Sequence, residues 1–538
     1  MTDVPTLTSA SAANYATLNP LIANRRATLT FSNGNLDASA STAWASSVST
    51  IGMPLNGTDK WYAELTVNSG SQANGINVGI TSQTTNALGG NTAHSTSVSG
   101  VWYGSNAEKW VDGTSSSYGE TFTNGDVIGI AVDSAANTIT FYKNNTSQGA
   151  ISLTSNVTSG AMIGIDLYNR SVSMNFGQRP FAYTPPTGFK ALNTYNLPTP
   201  TIKDGSDYFN PVLYTGNGST QSITGVGFQP DWTWIKTRSN VASHSIFDVL
   251  RGVNNWLASD SPDAAFGGQT DLLTSFDSDG FSLGANTGSK TVNKSGYTFV
   301  AWNWKANGSG VSNTDGSITS TVSANTTSGF SIATYTGDGS NANRTVGHGL
   351  GVAPEMVIVK TRSEAARNWL IWHKDLTNYD YALLFTIDAQ AGLRFGPSAP
   401  TSSVFGVYGG QGNRGTETFV SYCFAAIEGF SAFGKYTGNG SADGPFIYTG
   451  FRPAYILIKR SDSAADWYLY DSSRGPYNED KAYLNPNSNG AENASLAGHD
   501  LLSNGFKVRT SITSQNVNGG TYIYAAFAEN PFKYSLAR

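Results

Sequence analysis

Two linked motifs occur three times in the second half of this 538-residue chain. The hexapeptide YTGNGS at 214–219 returns as YTGDGS at 335–340 and again as YTGNGS at 436–441. Each copy is followed by an aliphatic strand that ends in a basic residue: DWTWIKTRS at 231–239, EMVIVKTRS at 355–363 and AYILIKRSD at 454–462. Lys236, Lys360 and Lys459 stand 22, 25 and 23 residues after the tyrosine of their motif. Linked motifs at near-constant spacing define an internal repeat, so this half of the chain reads as three versions of one module, at 209–307, 329–428 and 429–538.

The anatomy within a module also repeats. Asn-Gly and Asp-Gly populate the primed turns of tight hairpins, so YTGNGS is expected to be a hairpin turn that sets register at the start of each module. A glycine-containing loop follows (GVGFQP, GLGVAP, YTGFRP), then the lysine-ended strand, then a second strand (SIFDVLRG, NWLIWHKD, DWYLYDSSRG). An aromatic-rich strand closes the module: YTFVAWNWK, TFVSYCFAA or TYIYAAFA. At least five strands in about 100 residues is the density of a small β-sandwich. The 59 glycines, with abundant Ser, Thr and Asn, suit many short strands joined by turns. The expected fold class is all-β throughout.

Upstream, residues 1–27 are rich in Ser, Thr, Ala and Asn and are expected to be either a frayed terminus or an attachment segment ordered by a partner. From residue 28 the pattern alternates, through KWYAELTV, INVGI, GVWYG, GDVIGIAVD, ITFYKNN and SVSMNFGQRPF. In DVIGIAVDSAANTITFYKNN two alternating runs flank a Ser/Ala/Asn turn, which predicts a β-hairpin. A spacer stiffened by Pro185, Pro186, Pro198 and Pro200 follows, its linker portion at 191–208. The Ser/Thr/Asn/Gly stretch 308–328 is expected to be a flexible connector between the first and second modules, whereas the second and third abut and should be fixed to each other.

WYAELTV, NVGI, GDVIGIAVD, ITFYKNN and NFGQRPF occur in the order and spacing of a SPRY domain, which the segment 28–190 resembles. The resemblance implies a curved β-sandwich that binds peptides, proteins or glycans through rim loops and is not an enzyme. The repeats resemble an uncharacterised module of predicted virion and tail-fibre proteins of marine bacteriophages, which follows an ATLNPL-type start and a SPRY-like segment. Within the SPRY-like region, Trp102, Tyr103 and Trp110 lie in a Gly/Ser-rich neighbourhood. They are candidate ligand-binding residues as an aromatic platform for a sugar or peptide; the alternative is packing in the sandwich core.

Reactive constellations are sparse. His94, His244, His348, His373 and His499 are scattered, and the single Cys423 lies in an apolar run, so neither a metal site nor a disulfide is expected and no cofactor is called for. FDSDGF at 276–281 resembles the opening of a calcium loop, but its twelfth position is Gly288, and a turn is the expected structure. GHGLG at 347–351 precedes a strand and is expected to be a loop, not a dinucleotide fingerprint. Asp248 and Asp471 occupy matching places and each precedes an arginine by three residues, Arg251 and Arg474. They could be the carboxylates of a polysaccharide depolymerase, but the second copy has His373 there, and an ion pair closing a turn explains the pattern. Lys236, Lys360 and Lys459 are expected to cover apolar surface with their stems.

Only 13% of residues are charged, with a net charge of −5, which argues against nucleic-acid binding. No apolar run is long enough for a membrane helix, and a soluble chain without a secretion signal is expected. Taken with the resemblances, these features imply a non-enzymatic phage virion protein, a tail fibre or capsid-surface appendage that is expected to recognise a host-surface receptor such as a glycan. Its implied partners are other virion proteins, held through the N-terminal segment, and further copies of itself, a homotrimer by family analogy. The rivals are a decoration or baseplate protein that binds only other virion proteins, and the depolymerase.

Overall fold

The computed structural model describes residues 13–21, 29–55, 57–82, 100–157, 160–340, 342–392, 395–396, 398–410, 412–495 and 498–534. The chain divides into two compact units, residues 1–199 and residues 200–444 with 451–531; the short stretches 445–450 and 532–536 group with the first. Strands dominate both, and the one α-helical element among the described residues is the turn Thr513–Asn516. The all-β expectation holds.

The first unit is a two-sheet sandwich. One sheet runs in the order Thr30–Ser32, Asp37–Ser39, Arg170–Asn175, Lys60–Gly70, Val127–Asp133, Thr138–Lys143 and Thr146–Ser152. The other runs Ala45–Val48, Met162–Leu167, Ile76–Thr81, Val101–Gly104, Glu108–Val111 and Thr114–Ser117. Alternation explains the core: Trp61, Ala63, Leu65 and Val67 point inward from one strand to meet Ile128, Ile130 and Val132 from its neighbour. The predicted hairpin is present, with Asp133 paired to Thr138 and the Asp133 carboxylate capping the turn through the N–H groups of Ala135 and Ala136.

Segments expected to lie outside the sandwich belong to it. Ala16 and Leu18 are fully buried in its core, and the N–H groups of Ala16 and Leu18 donate to Leu192 and Asn35. Leu192 and Asn193, the start of the expected linker, are buried as well. Ala16 and Leu18 therefore complete the sandwich core. The remaining parts of the attachment segment, 1–12 and 22–27, lie outside the described residues.

In the second unit each module is a small sandwich built on a sheet containing four strands in the order first, closing, lysine, second; the sheet has four strands in the first and third modules and eight in the second. In the first module these are Phe209–Thr215, Thr298–Trp304, Trp232–Thr237 and Ser245–Asp248. In the second they are Phe330–Thr336, Thr418–Phe424, Met356–Thr361 and Leu370–His373, and in the third Ser431–Thr437, Thr521–Pro531, Phe451–Arg460 and Trp467–Asp471. Smaller pairings cover one face of each sheet: Gln221–Thr224, Gly280–Leu283 and Leu273–Asp277 in the first module, Arg344–Gly347 with Val404–Val407 in the second, His499–Leu502 with Gly505–Val508 in the third.

The other face of each sheet is not solvated. Trp304, Phe424 and Phe527 occupy the same register position in their closing strands, opposite Phe209, Phe330 and Ser431. Their ring centroids lie 5.6, 5.8 and 6.5 Å apart, so the three modules meet around a shared aromatic centre with pseudo-threefold symmetry. Trp232, Phe330, Phe433 and Tyr455 pack against this triad, and Tyr422 stacks on Trp232. Sheets buried on both faces need near-continuous apolar strands, which is what WTWIKT and TFVAWNW are.

Two expectations about connections are corrected. The stretch 308–328 carries the strands Val311–Asn313 and Ser320–Asn325, which extend the second module's sheet along Phe330–Thr336. Its polar composition hides its burial: Ser320, Val322 and Ser323 are enclosed, and of the four residues 320–323 only Thr321 is exposed. The YTGNGS motif is not a tight hairpin, because the strands on either side of it enter different sheets. It is a crossing loop with a glycine at φ 69° in every copy (Gly218, Gly339, Gly440) and an Asx turn in which Asn217, Asp338 or Asn439 accepts from the N–H two residues on.

A buried asparagine holds each of these loops. The Oδ1 atoms of Asn293, Asn413 and Asn516 accept from the N–H of Asn217, Asp338 and Asn439, and their Nδ2 groups donate to the carbonyls of Ser219, Ser340 and Ser441. The motif tyrosine donates its hydroxyl to the carbonyl just before that asparagine, at Val292, Gly412 or Gln515. Its ring stacks on Phe299, Phe419 or Tyr522 at 5.0, 5.0 and 4.9 Å.

Candidate functional site

The three aromatic residues singled out in the first unit do not form a platform. Trp102 and Tyr103 are fully buried, and Tyr103 packs against Tyr118, Phe122 and Phe141 inside the sandwich. Trp110, on the neighbouring strand and paired in register with Trp102, is half-buried. The core-packing alternative describes Trp102 and Tyr103; Trp110 alone retains accessible surface. Glu64, which the sequence did not single out, is buried and accepts from the N–H groups of Ala182 and Tyr183 and from the Tyr62 hydroxyl. It anchors the chain as it leaves the last strand of the sandwich.

The densest polar chemistry lies at the seams between modules. Asp248, His373 and Asp471 occupy one register position, opposite Trp232, Met356 and Tyr455. Asp248 accepts from Arg251 Nε at 2.5 Å and Asp471 from Arg474 Nε at 2.6 Å, with all four side chains shielded from solvent. These are the expected intramodule ion pairs, but they also reach across. Asp248 accepts from the Tyr422 hydroxyl of the second module at 2.7 Å, and Asp471 from Trp302 Nε1 of the first at 2.8 Å.

Trp302, Tyr422 and Ala525 are equivalent positions of the closing strands. At the seam between the third and second modules both partners have therefore changed together. Ala525 has no donor to offer, and in place of a carboxylate stands His373, whose Nε2 lies 3.1 Å from the carbonyl of Tyr524. Burial lowers the His373 imidazole to about 4, so at neutral pH it bonds as a neutral ring. The mismatch that spoke against a shared catalytic set is thus a compensated exchange at one seam.

The repeated lysines are corrected in the same way. Lys236, Lys360 and Lys459 are wholly buried, and it is the ammonium ends that are engaged, not only the stems. Lys360 donates to Pro262 of the first module and to Arg367, Lys459 to Ile387 of the second module and to Ala465, and Lys236 to Thr237. Desolvation lowers each to about 8. Residues at or just before the start of the second strand repeat the pattern: Trp369 donates to Ala258 and Trp467 to Leu384, each in the preceding module, while His244 Nε2 lies 3.1 Å from Asn485 O of the third. The contacts run first to third, second to first and third to second, which closes a ring.

Other candidates have structural roles. FDSDGF is a two-residue hairpin in which Asp277 pairs with Gly280 and Asp279 accepts from the N–H groups of Gly225 and Gly227. Cys423 is buried and its thiol is pushed up to about 12 by desolvation. A cleft of about 280 Å³ opens at the seam of the first and third modules, between Asn210 and Pro211 on one side and Ser472 and Ser473 on the other, with Glu529 at its rim. Asp248 and Asp471 do not line it, and neither is placed to act as an acid or base there.

Comparison with known families follows the two units. The SPRY domain model matches residues 60–179. A second model, described as a domain of unknown function, DUF7483, matches residues 204–531, more than half of the chain. The chain belongs to the DUF7483 family. That match spans all three modules, so the DUF7483 domain is the closed ring and not one repeat of it. Among solved structures, the chain is similar to the crystal structure of a human SPRY domain (14% identity, 28% of this chain, 97% of that chain, TM-score 0.24). It is also similar to the SPRY domain of human HERC1 (16% identity, 30% of this chain, 99% of that chain, TM-score 0.26) and to carbohydrate binding module CBM66 from Bacillus subtilis (7% identity, 30% and 93%, TM-score 0.21). No curated protein matches the sequence.

Proposed function

We propose that this chain is a non-enzymatic attachment protein of a virus particle, a tail fibre or capsid-surface appendage, in which the SPRY sandwich supplies recognition and the DUF7483 ring a rigid support. The observation that carries this reading is the fate of the repeated polar residues. Asp248, Arg251, Asp471, Arg474 and the three lysines are buried and bonded within the ring. A unit that directs its charged groups inward offers stiffness, not a reactive cleft. Recognition of a host-surface glycan is the receptor form of the proposal, and several copies on one particle would turn weak single sites into avidity.

A second reading has its own support. With Trp102 and Tyr103 in the core, the aromatic platform that favoured a glycan is reduced to Trp110. This favours a decoration or baseplate protein that contacts only other virion proteins. Locating the chain in a reconstruction of the particle, together with a glycan array probed with the purified full chain, tests both readings. Array signal and a distal position support the receptor form. A silent array and a position enclosed by other virion proteins support the second. Absence from the particle overturns both, and new reducing ends from incubated host polysaccharide would do the same in favour of a depolymerase.

A further inference from the structure

We propose that Asp480 makes the seam closing the three-module ring a pH-responsive joint, tight while its carboxyl carries a proton and loosened when that proton is lost. The seam between the third and first modules completes the ring. Arg238 grips Glu492 with two bonds of 2.8 Å, Glu492 N donates to Arg238 O, Ala242 N to Asn489 O, Ser259 to Pro486 O, and Trp302 to Asp471. The segment that makes most of these bonds, 485–492, is tied to the same part of the third module as Asp480 through Arg474.

The charges around this seam balance without Asp480. Arg474 donates through Nε to Asp471, through Nη1 to Glu492 and through Nη2 to the carbonyl of Leu469, and none of its bonds reaches Asp480. Arg238, Arg474 and Lys236 face Asp471, Glu492 and Asp260, three basic groups against three carboxyls. Asp480 is the third carboxyl facing the same arginine and is 1% exposed. Its Oδ1 accepts from Ala482 N, whereas its Oδ2 is buried with no partner. From the other elements it meets Tyr470 and His499, and His499 is buried with neither ring nitrogen bonded. Burial holds that imidazole neutral, down to about 3, so it brings no compensating charge. The flanking Glu479 and Lys481 pair with each other.

An ionised Asp480 would therefore be an uncompensated buried anion competing with Asp471 and Glu492 for Arg474. Desolvation raises its carboxyl to about 7 from the ordinary 3.8. The folded seam holds the proton up to about pH 7 and the opened seam releases it above about 4. Opening therefore becomes easier as pH rises through that window and levels off above it.

The test is amide hydrogen exchange of the full chain from pH 5 to 8, corrected for intrinsic exchange rates, against Asp480→Asn, which keeps the shape of the protonated acid. Wild-type protection at 485–492 is expected to fall about tenfold per pH unit between 5 and 7. Asp480→Asn should remove that slope while leaving protection at pH 5 unchanged. Equal slopes in the two proteins overturn the proposal. Should Asp480→Asn fail to fold, carboxyl-carbon NMR titration of wild-type Asp480 decides instead: a midpoint near 7 supports it, and one below 5 overturns it.

Discussion

The hydroxyl of Tyr422 donates to the carboxylate of Asp248 across a module boundary at 2.7 Å, while Arg251 grips the same oxygen from within Asp248's own module. One buried carboxylate thus closes a turn and joins two repeats. Removing it by Asp248→Ala leaves the fully buried Arg251 without its anion, a loss of about 3–5 kcal/mol. Tyr422→Phe removes the neutral donor and a long acceptor contact from Arg251 Nη2, which keeps its bond to Ile246 O, and should cost about 1 kcal/mol. Urea unfolding of both single variants and the double variant measures the coupling, expected at about 0.5–3 kcal/mol; additive effects would mean that the seam bond adds nothing to the ion pair.

The buried asparagines give a second prediction. Asn516 Nδ2 donates to Ser441 O and Thr510 O at 2.7 Å each, and its Oδ1 accepts from Asn439 N. Asn516→Ala leaves these groups without partners and should cost about 3 kcal/mol, since each unsatisfied buried group costs about 1–3 kcal/mol. Local amide exchange at 436–441 should rise with it. A change below about 0.5 kcal/mol would show that the crossing loop is held by the tyrosine stack alone.

Trp102 and Trp110 separate packing from recognition. Trp102→Ala empties a fully enclosed site and should destabilise the sandwich by about 3–5 kcal/mol. Trp110→Ala, at a half-buried position, should cost far less and so is the variant in which any loss of ligand binding can be read without loss of fold. Thermal unfolding monitored in the first unit distinguishes them.

Much of this architecture was legible in the sequence, and what was not has physical reasons. The triple motif located the modules and alternation located the sandwich, because both depend on local spacing. Ring closure is a long-range property, yet it left a local trace. Strands such as TFVAWNW lack the polar alternation of a sheet with one wet face, and that absence is the mark of a sheet buried on both faces. The lysines misled because each ends a strand, where solvent exposure is the default, while carbonyls that receive two of the three ammonium groups lie in the neighbouring module, Pro262 for Lys360 and Ile387 for Lys459. The 308–328 strands were masked by Ser and Thr, which serve a sheet edge as readily as a linker.

Those lysines carry a pH prediction of the opposite sign to that of Asp480. Each is lowered from 10.5 to about 8 in the folded chain, so between pH 8 and 10.5 the unfolded chain binds more protons and stability rises with pH. The displacement corresponds to on the order of 3 kcal/mol per lysine. Comparing wild type with Lys236→Met, Lys360→Met, Lys459→Met at pH 8 and 9.5 isolates the effect from tyrosine ionisation. Wild type should gain stability relative to the triple variant, and a constant difference between them would show that the lysines stay charged.

The edges of the three sheets supply the last prediction. The first strands Phe209–Thr215, Phe330–Thr336 and Ser431–Thr437 all lie at an edge of the four-stranded arrangement. The first contains Pro211, which has no N–H to offer a further strand, and the third contains the exposed Lys435. The second, FSIATYT, has neither, and it is this strand that Ser320–Asn325 covers. Deleting 310–326 should leave an uncharged apolar edge, and the protein should self-associate in a concentration-dependent way visible by light scattering. Thr334 stands where the third module has Lys435, so adding Thr334→Lys to the deletion should restore the monodisperse state. If the deletion alone stays monodisperse, the 308–328 strands serve some purpose other than covering that edge.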